Sequence, residues 1–258
     1  MRYRGYLLDL DGTVYRGERL LPGAAEAVGG LRARGARVLF LSNKPLEPAA
    51  AYARKLTRLG LPTEADEVLT SAGVLTDYLR RAAPGARLYV IGEPPLLAEL
   101  EAAGFEVTDE PRRVDVVVIA FDRTFDYRKL TLALAAARHG ARLVATNPDR
   151  TCPVEEGEIP DCAAMIGAVE GATGRRVETI VGKPSPLTVE AALARLGGLA
   201  PREVLLVGDR LETDVQMGIR AGIDTALVLT GVTGREAVAG SLWRPTYVLE
   251  HLGEVLRL

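Results

Sequence analysis

Two short acidic stretches hold most of the chemistry available to this chain of 258 residues: Asp9-Leu10-Asp11-Gly12-Thr13 and Gly208-Asp209-Arg210-Leu211-Glu212-Thr213-Asp214. Each follows an apolar run with the composition of a buried strand, Gly5-Tyr6-Leu7-Leu8 and Val204-Leu205-Leu206-Val207. Both stretches therefore put carboxylates where a strand stops and a loop begins, which is the ligand-binding edge of an open α/β sheet. Clustered carboxylates repel one another unless a cation lies among them. A cluster that offers only oxygen suits Mg²⁺, which takes carboxylates, waters and substrate phosphate. The chemistry this predicts is magnesium-dependent phosphoryl transfer.

Asp9 and Asp11 are two residues apart, so their side chains either share one side of the strand end or are splayed by the turn. Gly12 lets the backbone turn sharply, and Thr13 can hydrogen-bond the loop. Such a pair can divide its labour, one carboxylate attacking while the other handles protons. The same residues also fit an Asx-type turn at a strand end. In the second stretch Asp209 can ligate a metal, while Thr213-Asp214 fits either a supporting role or a helix N-cap.

Two further strand ends point the same way. Ser42 and Asn43 follow Val38-Leu39-Phe40-Leu41 and offer a hydroxyl and backbone N–H groups to phosphoryl oxygens. Lys183 follows Thr179-Ile180-Val181 and offers a point charge for a phosphate. Alone, the first reads as a cap and the second as a surface charge. Together, four strand ends supply a nucleophile, a hydroxyl, a cation and a metal ligand. Gly182-Lys183-Pro184 is not a P-loop, because Val177 stands at the first glycine position and Pro184 replaces Ser/Thr. No GxGxxG or HExxH occurs either, which disfavours a nucleotide-driven motor or an NAD enzyme.

The elements that must hold these residues alternate along the chain. Residues 37–41, 88–91, 115–120, 142–145, 204–207 and 225–229 read as short buried strands. Alanine-rich helical segments lie between them. One is expected to open at Pro22-Gly23-Ala24 with an N1 proline and to close at Gly35, and another to run from Asp126 to His139. This alternation predicts an α/β fold with parallel sheets and helices on both faces. Residues 1–80 and 178–258 are expected to form one domain, with 81–177 inserted as a second.

Composition excludes several classes of function. The chain is 48% hydrophobic and 26% charged, as an ordinary globular protein is, and its formal net charge is −2. That balance favours neither nucleic acid nor an anionic membrane as partner. The longest apolar runs, such as 114–120, are too short to span a bilayer, and no signal-peptide pattern precedes the first strand. A cytoplasmic location follows from this reading. Cys152 and Cys162 are expected to be free thiols, and with only His139 and His251 beside them they make no zinc site.

The four stretches, in this order, resemble the haloacid dehalogenase superfamily of aspartate-nucleophile phosphatases. Leu8 to Tyr15, Ala145-Thr146-Asn147-Pro148-Asp149, Val181-Gly182-Lys183-Pro184 and the tail from Val207 to Val232 are similar to its NagD-like, 4-nitrophenylphosphatase-like subgroup. The resemblance covers nearly the whole chain. It implies a doubly wound, Rossmann-like catalytic core with 81–177 as an inserted α/β cap. It also implies Asp9 as the nucleophile that forms an aspartyl-phosphate and Asp11 as the acid, then base. Ser42 would hold the phosphoryl group with the backbone at Asn43 and Lys44, and Lys183 would offset charge. Mg²⁺ would be bound by Asp9, the Asp11 carbonyl and Asp209, with Asp214 in support.

The implied substrate is a small phosphorylated metabolite, such as phosphoglycolate or a nucleotide, sugar or aryl phosphate. A homodimer joined through the cap is a further implication. In this subgroup the second motif often reads Thr-Asn-Asn, where this chain has Ser42-Asn43-Lys44. Glu155, Glu156 and Glu158 in the cap would repel a second phosphate. Two alternatives use the same residues: a phosphotransferase or mutase, and a phospho-accepting signalling module of about 120 residues.

Overall fold

Strands Gly5–Asp9, Arg37–Ser42 and Val204–Gly208 are apolar almost throughout, and they are buried along nearly their whole length. That is the expected state of strands covered on both faces by helices. The computed structural model describes residues 2–154 and 157–258. Those three strands belong to a six-stranded sheet with the order Tyr247–Leu249, Asp224–Val228, Val204–Gly208, Gly5–Asp9, Arg37–Ser42, Val68–Thr70. Gly5–Asp9 pairs in parallel with both of its neighbours, and Val204–Gly208 pairs in parallel with Asp224–Val228.

Alternate residues of these strands feed opposite layers. Tyr6, Leu8, Val38, Phe40, Leu205 and Val207 share a core with Val28 and Leu31 of helix Ala24–Ala33 and with Leu56 of helix Ala49–Arg58. On the other face, Gly5 abuts Leu196 and Leu199, which follow helix Pro186–Arg195.

The chain folds as two compact units. The first comprises the chain up to Ser42, then Ala49–Leu69 and Lys183–Leu258; the second comprises Asn43–Pro48 and Thr70–Gly182. The second unit has its own sheet, in the order Thr179–Ile180, Arg142–Ala145, Val116–Ile119, Arg87–Ile91, Glu106–Val107, with every neighbouring pair parallel. Its core sets Ile91, Val117, Ile119 and Leu143 against Ala133 and Ala136 of helix Tyr127–Arg138 and Met165 and Val169 of helix Cys162–Thr173. Thr151–Val154 and Gly157–Pro160 pair antiparallel as a separate small sheet.

The second unit is wider than the expected 81–177 at both ends. Helix Ser71–Ala82 belongs to it, because the Tyr78 hydroxyl lies 3.1 Å from Thr179 Oγ1 and accepts from Arg142 Nη2 at 2.8 Å. Composition does not shift at these boundaries, so the sequence held no signal for them.

One helix start also differs from expectation. Helix Ala24–Ala33 takes Gly23 as its N-cap and leaves Pro22 outside. Gly23 has φ +74°, and a Cβ there would lie 2.7 Å from both Gly253 Cα and His251 Nδ1, so packing of the C-terminal segment fixes this position. The second helix agrees with its signals: Asp126 caps Tyr127–Arg138 by accepting from Lys129 N, and His139 is the C-cap. Neither Cys152 nor Cys162 is in a disulfide, and both are buried. Among the described residues no helix is long and apolar enough to cross a membrane.

Candidate active site

Strand order in the six-stranded sheet reverses between Gly5–Asp9 and Val204–Gly208. Strands from 37–70 lie on one side of that pair, and those from 224–249 lie on the other. This is the topological switch point, where the carboxyl ends of parallel strands diverge and leave room for a ligand. Register then decides what gathers there. Leu8 pairs with Val207, so Asp9 and Asp209 emerge at one end of the sheet, and Asp9 pairs with Leu41, which puts Ser42 one residue beyond.

The buried ammonium of Lys183 ties this edge together. It donates to Asp9 Oδ1 at 2.5 Å and to Asp214 Oδ1 at 2.6 Å, and its side chain is only 4% exposed. Asp9, Asp209 and Asp214 are all buried, with one carboxylate oxygen from each lying within 4.8 Å of the others. Asp214 is carried on a π-helical turn, Leu211–Val215, ahead of helix Gln216–Ala221. Such turns are rare and often mark functional sites. Neither Thr213 nor Asp214 caps that helix. Asp214 Oδ2 instead accepts from the Arg210 N–H at 3.1 Å, so both its oxygens are engaged.

Asp209 is fixed by the loop after Asp224–Val228. Its Oδ2 accepts from Val232 N at 2.7 Å, and Thr230 Oγ1 donates to Gly12 O at 2.7 Å. Gly12 has φ +86°, and a Cβ there would sit 2.5 Å from Asp209 Oδ2. The glycine of the first motif is therefore what lets the aspartate of the second approach. Asp11 lies in the tight turn after Asp9 and forms an isolated bridge with Tyr15; it is partly exposed. Burial, and then Asp11, Tyr52 and Asp9, push the Tyr15 hydroxyl's pKa up, so both carboxylates of the first motif act on this ring. Thr13 was expected to bond the loop through its hydroxyl, but its Oγ1 is buried and has no hydrogen-bond partner.

Electrostatics at this edge are those of too many carboxylates for one ammonium. Burial raises the pKa of Asp9 well above the usual carboxylate range; Asp214 and Asp209 add to the rise, and Lys183 opposes it. Burial and Asp214 push Asp209 up to about 6 against the opposing Val232 N–H. For Lys183, burial pulls the pKa down, but Asp214 and Asp9 outweigh it and the net direction is up. Three buried carboxylates facing one buried cation leave unbalanced negative charge, which a divalent ion with oxygen ligands would neutralise. The donor set fits Mg²⁺.

Asn43 and Lys44 belong to the second unit rather than to this cluster. Asn43 Nδ2 donates to Asp149 Oδ2, and the charge of Lys44 acts to lower the pKa of Asp161, which burial raises. Elsewhere in the second unit, Arg123 is held by Glu93 at 2.7 Å and Asp122 by Lys129 at 2.5 Å. Glu155 and Glu156 lie outside the described residues, and Glu158 is exposed.

Residues 6–106 match the haloacid dehalogenase-like hydrolase family, and residues 180–255 match a HAD-hydrolase-like family. The sugar-phosphatase AraL of Bacillus subtilis is 40% identical over 256 residues, covering 98% of this chain and 92% of that protein. The chain belongs to the haloacid dehalogenase-like hydrolases. Among solved structures, a 4-nitrophenylphosphatase from Thermotoga maritima superposes with TM-score 0.94 at 35% identity, covering 100% of this chain and 97% of that one. NagD from E. coli K-12 superposes with TM-score 0.88 at 33% identity, covering 98% of each chain.

Within the haloacid dehalogenase-like hydrolases the chain falls in the NagD-like, 4-nitrophenylphosphatase-like subgroup, and it is an enzyme of the phosphoric monoester hydrolase class. Sequence reading missed the contribution of residues 230–233 and of Tyr15. A signal was present, since Thr230-Gly231-Val232-Thr233 follows another strand end on the same edge.

Proposed function

We propose that this hydrolase removes phosphate from small phosphate monoesters, with sugar phosphates as the physiological class, through an aspartyl-phosphate on Asp9. The observation that carries the reading is the buried Asp9–Lys183–Asp214 contact at the switch point, with Asp209 beside it. The substrate class rests on relatives named for sugar phosphates, AraL at 40% identity and an acid sugar phosphatase of Staphylococcus aureus at 36%. Aryl phosphates are a second class, after the 4-nitrophenylphosphatase.

In the first half-reaction an Asp9 carboxylate oxygen attacks phosphorus, and the bond from phosphorus to the ester oxygen breaks. Asp11 gives its proton to that leaving oxygen. In the second half-reaction Asp11 takes a proton from water, whose oxygen attacks phosphorus. The bond to Asp9 then breaks, orthophosphate leaves and the free carboxylate returns. Ser42 and the N–H of Asn43 hold the phosphoryl oxygens, with Lys44 beside them. Lys183 lowers the repulsion between the Asp9 carboxylate and the phosphate dianion. Mg²⁺, held by Asp9, Asp209 and the Asp11 carbonyl with Asp214 in support, would supply charge neutralisation at the phosphate.

We assign the second unit the role of cap. Two buried cysteines outside any disulfide support a reducing, cytoplasmic compartment. A receiver-type signalling module is not favoured, because such a module needs one doubly wound lobe and this chain has two units. A phosphotransferase is not favoured by the phosphatase relatives.

The test is hydrolysis of 4-nitrophenyl phosphate and a sugar-phosphate panel by wild type and Asp9→Asn, each with Mg²⁺ and with EDTA. Activity should need both Asp9 and Mg²⁺, and the substitution should cost on the order of 4 kcal/mol or more in transition-state stabilisation. Activity that survives Asp9→Asn would sink the mechanism.

A further inference from the structure

We propose that Asp149 is a positioning residue for the phosphate-binding turn, acting through the side chain of Asn43. The proposal rests on the reading of Ser42 and Asn43 as phosphate-binding groups. Asn43 directly follows Ser42, and it is held at both ends. Its Nδ2 donates to Asp149 Oδ2 at 2.8 Å, and its carbonyl accepts from Ser71 Oγ at 2.7 Å. Fixing the carbonyl and the side chain fixes the residue's rotation about its own backbone, and so the direction of the N–H offered to a phosphoryl oxygen.

Asp149 is itself held from behind. The same Oδ2 accepts from Asn147 Nδ2 at 2.8 Å, and Asn147 also donates to Asp161 Oδ1 at 3.0 Å and accepts from Thr146 Oγ1 at 2.8 Å. Thr146, Asn147 and Asp161 are all at least 97% buried. The Asp149 carbonyl accepts from Ala163 N at 3.0 Å, which anchors its backbone to helix Cys162–Thr173. A carboxylate so constrained offers Asn43 one position.

The other side of the Asn43 amide is close-packed. A Cβ on Gly182 would lie 2.7 Å from Asn43 Oδ1 and 2.4 Å from Thr146 O, and Gly182 N donates to that same carbonyl at 2.7 Å. Gly182 directly precedes Lys183. The Asn43 amide thus lies between Asp149 and the backbone that leads into Lys183, so one partly buried network holds the covalent neighbours of two proposed site residues. Sites of this kind lose efficiency when supporting groups let them drift by about 1 Å.

Steady-state kinetics with 4-nitrophenyl phosphate, and with inorganic phosphate as a competitive inhibitor, test this. Loss of a hydrogen bond to a charged group should raise KM and the phosphate inhibition constant together, by about tenfold in Asp149→Ala, with kcat changed less. Asn43→Ala should match it, and the double variant should be no worse than the worse single, because the two act as one unit. Asp149→Asn keeps an acceptor oxygen and should recover most of the affinity. Ser71→Ala removes a neutral contact and should raise both constants about threefold.

A fall in melting temperature with both constants within about twofold of wild type would overturn the proposal, as would losses that multiply in the double variant. If Asp149→Ala does not fold, Ser71→Ala decides by the same criterion. An active, Asp9-dependent wild type whose Asp149 and Ser71 variants behave normally overturns only the positioning role. Activity without Asp9 overturns the reading beneath it.

Discussion

At the scale of residues, the chemistry rests on a shortage of positive charge. Asp9, Asp209 and Asp214 are buried around one ammonium. Burial and Asp214 hold the folded Asp209 pKa at about 6 against the ordinary 3.8 of an aspartate, so between those values the folded protein holds a proton that the unfolded chain has lost. Its contribution to stability is fully present below about pH 4 and is lost as pH rises through about 6. Metal-free protein should therefore lose stability across that window relative to Asp209→Asn. Mg²⁺ binds only the ionised carboxylates, so it should restore stability above pH 6 and do little near pH 4, by about 2.7 kcal/mol at a hundredfold excess over Kd. Thermal unfolding with EDTA and with Mg²⁺ at both pH values checks this. An equal Mg²⁺ shift at the two would contradict it.

At the scale of elements, two strand ends and one loop meet through a glycine. Gly5–Asp9 and Val204–Gly208 supply Asp9 and Asp209, and Gly12 and the loop at 230–233 close around the Asp209 carboxylate. Gly12→Ala would combine φ +86° with a 2.5 Å approach to Asp209 Oδ2. It should cost about 1–3 kcal/mol of stability and displace that carboxylate. Mg²⁺ affinity, read from the melting shift, should fall with it, and wild-type Mg²⁺ affinity in this variant would contradict the geometry.

Legibility in the sequence divides along the same lines. Buried central strands announce themselves as unbroken apolar runs, so 5–8, 37–41 and 204–207 were readable to within a residue of Gly5–Asp9, Arg37–Ser42 and Val204–Gly208. Tyr247–Leu249 and the pair Thr151–Val154 with Gly157–Pro160 were not, because they are short, half-exposed and carry polar residues or proline. The π-helical turn under Asp214 was equally silent. On it both Asp214 oxygens are engaged, by Lys183 and by the Arg210 N–H, and no local propensity encodes those contacts.

At the scale of the whole molecule, two units with separate cores divide the residues of interest unequally. Asp9, Asp11, Ser42, Lys183, Asp209 and Asp214 lie in the first, and Asn43, Lys44 and Asp149 lie in the second. Residue types and their order at strand ends made the first group legible. The Asn43–Asp149 contact spans 106 residues of sequence and was not legible, since only the folded second unit brings the two together.

In the proposed mechanism Asp9 would carry the phosphoryl group during turnover. Asp11→Asn removes the proposed acid and base while leaving the nucleophile, so it should slow breakdown of the intermediate. Acid-quenched Asp11→Asn, mixed with 4-nitrophenyl phosphate and Mg²⁺ and examined by peptide mass spectrometry, should show one added phosphoryl group on the peptide containing Asp9. An unlabelled peptide from a variant that turns over at the wild-type rate would contradict both assignments.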